Sequence, residues 1–194
     1  MTNRELHMKK NNQIKIIASV VMAMAGAAFA GQAGAATAEA KAAYKTAKDQ
    51  AAVNYKASHA ECEKITGNPK DVCVAEAKAV RTYDEAVAQA QYDNTLKAYT
   101  KAREKIADAN YDVDKTRCDA LTGNDKDVCV KLAKSTKVAA MADAKADKKV
   151  IEARSDAREE KRKAEYKVAT EKCDALAGAA KDECTKAAKN QFGY

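Results

Sequence analysis

The sequence predicts an all-α protein of elongated antiparallel helical hairpins, up-down and coiled-coil-like, stapled by disulfides at the corners. Three observations carry this reading. Six cysteines fall in three pairs of identical C-x10-C spacing, Cys62/Cys73, Cys118/Cys129 and Cys173/Cys184, which recur at a near-constant interval along the chain. One Pro and seven Gly in 194 residues are too few for a β sandwich or barrel, which turns about every 8–12 residues, or for a Gly-rich nucleotide fold. Beyond Ala30, Ala, Glu, Lys, Leu and Arg make up roughly half of the chain, the composition of long helices.

The first 35 residues differ in kind from the rest. Lys9, Lys10 and Lys15 form a basic start, and the stretch from Ile16 to Ala30 carries no charge. Two A-x-A sites follow, ending at Ala30 and Ala35. Together these describe a secretory signal peptide over residues 1–30, cleaved after Ala30 or Ala35. A bilayer span needs about 20 apolar residues, so no transmembrane anchor is expected after cleavage. The compartment expected is an oxidising one, a bacterial periplasm. Without residues 1–30 the formal charge falls from +7 to +4, and large side chains of the Leu, Ile, Val, Met and Phe kind are scarce.

The remaining 36–194 reads as a single elongated helical domain with corners near residues 67, 123 and 178. The corner segments are CEKITGNPKDVC, CDALTGNDKDVC and CDALAGAAKDEC. Gly67, Gly123 and Gly178 are expected just past the end of each first helix, where positive φ is needed. Asn68 and Asn124 then read as N-caps, with Pro69 at the first helical position. Asp71 and Asp127 lie in the first turn, near its exposed N–H groups. The third copy carries Ala179-Ala180 instead, so its cap is weaker and its last helix is expected to fray. Each Cys pair flanks its corner on opposite helices. Closing such a twelve-residue loop stabilises by about 3 kcal/mol in the chain-entropy model.

Between corners the chain holds neither Gly nor Pro from Lys70 to Thr122 or from Asn124 to Ala177. Two helices of about 53 residues would each span roughly 80 Å. A shorter helix precedes them, from about Ala38 to Thr66, and a stub follows from about Ala180 to Asn190. Four helices result, with alternate staples at opposite ends. The apolar stripe shifts across AQAQYDNT, where a kink near Asp93-Asn94 would accommodate it. Ala-rich seams permit close packing but bury little area at about 25 cal/mol per Å². Staples then supply what the thin core lacks.

The residues that could do chemistry are few. His59 is the only His after the signal segment, and C-x10-C does not have the spacing of a zinc site or of a thiol-redox motif. No metal, cofactor or catalytic set is therefore expected, and an enzyme is not. A Lys-Asp pair recurs at each corner. Lys70, Lys126 and Lys181 are placed to reach back to Glu63, Asp119 and Asp174, acids set unfavourably at a helix C-terminus. A Tyr precedes each first Cys at a fixed distance, at Tyr55, Tyr111 and Tyr166, and reads as a helix-packing residue. The densest basic run, RSDAREEKRKAEYK, offers Arg158, Lys161, Arg162 and Lys163 as polyanion contacts, with four acids interleaved.

The pattern Y-x6-C-(D/E)-x-(L/I)-x-G-N-x-K-D-V-C-V, in an exported Ala/Lys-rich chain, resembles small bacterial envelope proteins labelled TolA-like. That resemblance covers nearly all of the chain after the signal segment and implies association with the cell envelope. The expected function is a non-enzymatic periplasmic helical structural or interaction protein, related to stress. Its expected partner is an envelope protein or an anionic envelope component, with self-association compatible and nucleic acid excluded by export. A binder of anionic envelope polymer or lipid is the first alternative, and a hydrophilic stress protectant the second.

Overall fold

A computed structural model describes residues 37–194. The signal segment expected over 1–30, with cleavage expected after Ala30 or Ala35, lies outside the described residues. Among the described residues five helices follow one another: α1 (Ala38–Cys62), α2 (Asn68–Asp93), α3 (Leu96–Cys118), α4 (Gly123–Cys173) and α5 (Ala179–Phe192). The described residues form no strand. All three disulfides are formed as their spacing predicts, Cys62–Cys73, Cys118–Cys129 and Cys173–Cys184, with Cα–Cα distances of 5.6, 5.7 and 5.7 Å. Each ties the end of one helix to the first turns of the next.

The first long helix predicted from Lys70 to Thr122 is in fact two helices. The chain does not kink at Asp93-Asn94 but reverses. Asn94 takes the left-handed conformation (φ 43°, ψ 43°) and donates its N–H to the Ala90 carbonyl. Thr95 then caps α3, its hydroxyl accepting the Ala98 N–H at 3.1 Å. Asn tolerates the left-handed region and Thr is a good cap, so a turn forms without Gly or Pro.

This reversal corrects the placement of the staples. Sequence spacing puts successive staples at opposite ends, whereas the first two lie side by side. The Asn68 side chain donates to the Thr116 carbonyl at 2.7 Å, and Arg117 pairs with Glu76, joining the first corner to the second. The third staple lies at the far end of α4, whose 51 residues extend about 76 Å.

Among the described residues each helix packs only on its neighbours in the chain, α1 on α2, α2 on α3, α3 on α4 and α4 on α5. The result is an open zigzag rather than a closed bundle. Its buried apolar set is ten Ala, three Cys and Val113, with Thr100 the one buried polar residue. Small side chains let helix axes approach closely, yet each contributes little area. The first half of α4 lies on α3 through Lys137–Asp108 (2.6 Å), Lys145–Glu104 (3.6 Å) and Asp147–Arg103 (2.6 Å). Residues 149–158 are then exposed at every position. Beyond them α5 folds back on the last turns of α4.

The last helix is better anchored than its weak cap suggests. Gly178 gives it no side-chain cap, but it runs to Phe192 and ends at Gly193 with φ 73°. The Tyr194 N–H closes on the Lys189 carbonyl at 2.9 Å, and its ring stacks on Tyr166 at 4.3 Å.

Candidate functional site: stapled corners and the groove over α2

Each corner repeats one arrangement. The first helix ends at its Cys, and the next residues tighten into i→i+3 bonds, such as Ile65 N–H to the Cys62 carbonyl and Leu121 N–H to the Cys118 carbonyl. The three glycines do have positive φ, at 68°, 54° and 57°, but at the entry to the following helix rather than just past the preceding one. Glu63, Asp119 and Asp174 occupy the C-cap positions instead. The two predicted N-caps are displaced accordingly. Gly67 caps α2 and Thr122 caps α4, neither through a side-chain hydrogen bond. Asn68 and Asn124 are the first and second positions of their helices, and Asn68 reaches across to α3. The extra turn after each Cys is what moves the boundary.

The Lys–acid pairs form at all three corners. Lys70–Glu63 measures 2.7 Å, Lys126–Asp119 3.0 Å and Lys181–Asp174 2.9 Å. The Lys70 hydrogen bond holds the Glu63 carboxyl below its ordinary range, reinforced by the positive charges of Lys70 and His59. At the third corner the hydrogen bond to Asp174 raises Lys181. A cation held over the C-terminal carbonyls offsets the acid's poor position there.

The repeat tyrosines also share one partner position, at the same sequence offset in each repeat, which sequence reading missed. The Arg81 guanidinium lies 5.5 Å from the Tyr55 ring centre and the Lys137 ammonium 5.2 Å from that of Tyr111. At the third repeat the partner is Phe192, edge-on to Tyr166 at 6.1 Å. The signal was there in the constant offset, which becomes visible once the helices are known to be antiparallel. Lys137 also bonds Asp108, which raises its pKa.

A groove of about 860 Å³ runs over α2 between α1 and α3. Tyr55, His59 and Glu63 line one wall, Asp112 and Thr116 the other, with Lys70, Arg81 and Glu85 on the floor. Two of its cations are paired with acids. Arg81 bonds Glu85 at 2.7 Å, Lys70 bonds Glu63, and His59 lies 3.9 Å from Glu63. One carboxyl outside the groove, Asp84, is pushed above the ordinary range by burial. Among the described residues no cluster of His, Cys, Asp or Glu has the form of a metal site, and no helix is long and apolar enough to cross a membrane.

The basic run is not gathered into one patch. Lys161 pairs with Glu165, Arg162 and Lys163 both pair with Glu159, and Arg162 also donates to the Phe192 carbonyl at 3.2 Å. At about 100° per residue the four basic side chains spread about 200° around α4. No known protein family, curated protein or solved structure matches this chain.

Proposed function

We propose that the chain is an exported, non-enzymatic structural protein of the bacterial periplasm, a stapled helical scaffold or spacer serving the cell envelope. The observation that carries this reading is the coupling of three closed disulfides to an interior of small residues. A helical zigzag over residues 37–194 with one large aliphatic side chain buried draws its order from cross-links, and such links persist in an oxidising compartment. The length of α4 supports the spacer role, since it separates the third hairpin from the first two corners. The rival binder of anionic polymer finds little support, because Lys161, Arg162 and Lys163 each pair with an acid of the same helix and the run, Arg158 included, is spread around α4. The test is capture from periplasmic extract on the oxidised protein. Defined protein partners retained in high salt support the scaffold. Retention of lipopolysaccharide alone, lost as salt rises, would establish the polyanion binder in its place.

A further inference from the structure

The two long repeats use one sequence module in two conformations. In the first, Ala86 and Ala90 of α2 close against Ala98, Ala102 and Ile106 of α3, around the turn at Asn94. In the second, the matching stretch is the unbroken α4. Counting from the flanking cysteines, Ala142 and Ala146 stand where Ala86 and Ala90 do, and Ala153 and Ala157 where Ala98 and Ala102 do. Lys161 replaces Ile106. The turn itself is gone. Val150 alone stands in place of Asn94-Thr95, and Val neither enters the left-handed region without strain nor carries a side-chain oxygen to cap a helix.

The alanines that close the first module are therefore left open in the second. Ala142, Ala146, Ala153 and Ala157 are all exposed, and at about 100° per residue they fall within about 60° of one another on one face of α4. Both neighbouring helices pack on the opposite side, where Ala133, Ala144 and Cys173 are buried. The open face continues past the alanines into Val128, Leu132, Val150 and Val168, which are 47%, 64%, 47% and 55% exposed. A straight helix cannot bring its own two halves together, but a second helix of the same sequence can supply each half to the other.

We propose that two copies of this chain pair antiparallel along this face of α4, about a two-fold axis between Lys149 and Val150. Ala142 and Ala146 of each copy then seat against the partner's Ala157 and Ala153, as α2 seats on α3. The direction follows from that internal precedent, an open hairpin being completed by exchange between identical chains. The flanks agree with it. On one side Lys145, exposed though it also reaches Glu104 of α3 at 3.6 Å, meets the partner's Asp156, and on the other the exposed Asp143 meets the partner's Arg154. This inference goes beyond the scaffold reading and does not depend on the compartment.

Sedimentation equilibrium on the oxidised chain tests it. The wild type is expected to dimerise, and Ala146→Lys and Ala153→Glu are each expected to weaken the dimer by about tenfold or more. An equal mixture of the two variants recovers a heterodimer through the new Lys–Glu contact. Both sites are exposed in the single chain, so helicity by circular dichroism should be unchanged. A spin label introduced at Lys134, exposed and off the paired face, without added cysteine fixes the direction independently of these variants. Label pairs about 46 Å apart support antiparallel pairing, and pairs within about 25 Å overturn it in favour of a parallel dimer. A wild-type mass that stays monomeric as concentration rises, or dimer variants weakened by less than about threefold, would also overturn it.

Discussion

The turn at Asn94-Thr95 decides whether the first repeat is a hairpin or a rod, and its contribution can be worked from two local features. Asn94 has φ 43° and ψ 43°, a region where an ordinary L-residue is strained by about 1 kcal/mol or more. The Thr95 hydroxyl accepts the Ala98 N–H at 3.1 Å, a cap whose loss costs about 1 kcal/mol. Replacing both, Asn94→Ala with Thr95→Ala, should therefore weaken the closed hairpin by about 2 kcal/mol. Because α1 packs only on α2 and α4 only on α3 and α5 among the described residues, opening this turn leaves the other pairings in place. The assay is a distance between spin labels attached without cysteine chemistry at Lys78 and Asn110, both at positions away from the hairpin's alanine contacts. Closed, the two lie on adjacent helices within about 20 Å; in a continuous helix they stand about 48 Å apart. Less urea should be needed to lose the short distance in the double variant. Replacing Asp93–Leu96 by the Lys-Val-Ile found at the matching point of α4 should make the long distance dominant. A graft that keeps the short distance would overturn this explanation of the turn, showing that packing alone sets the reversal.

Removing the middle staple with Cys118→Ala and Cys129→Ala should lower stability by about 3 kcal/mol, the entropy of a twelve-residue loop, measured by urea unfolding without reductant. Asp84→Asn should stabilise the protein at neutral pH, because burial raises the Asp84 pKa. A carboxyl that binds its proton more tightly when folded costs stability above its folded pKa. The gain should therefore shrink as pH falls through that value and vanish below the ordinary 3.8. Lys126→Glu sets two acids together at the second corner in place of the 3.0 Å pair with Asp119. A loss of under about 1 kcal/mol is expected in low salt and less in high salt, and a salt-independent loss would exclude an electrostatic origin.

Much of this was legible from residue identity. The C-x10-C spacing located the three staples because two helices joined by a tight corner bring those positions to bonding distance. The Lys-Asp signature located the corner ion pairs for the same reason. The missing reversal is instructive. Helix breaks are read from Gly and Pro, whereas this one rests on Asn94 entering the left-handed region and Thr95 capping the next helix. These are two weak signals that only combine through the Ala86–Ala90–Ala102 contact. Missing it put the staples at the wrong ends and hid the neighbour relation of the first two corners. Asn68 was misassigned because a cap is a local inference, while its real partner, the Thr116 carbonyl, is 48 residues away. The groove over α2 was invisible for the same reason: its two walls, α1 and α3, flank α2 together only because of the unrecognised turn.

The fold rests on its staples rather than on its core, since ten of fourteen buried apolar residues are alanine. Circular dichroism of the protein from Ala36 onward, recorded oxidised and then with reductant, puts this dependence to the test. Three loops at about 3 kcal/mol each are comparable with the whole stability of a domain, about 5–15 kcal/mol. Strong helicity is expected in the oxidised protein, and its collapse on reduction. A coil in both states would contradict the architecture, and undiminished helicity and melting temperature after reduction would contradict the role given to the disulfides.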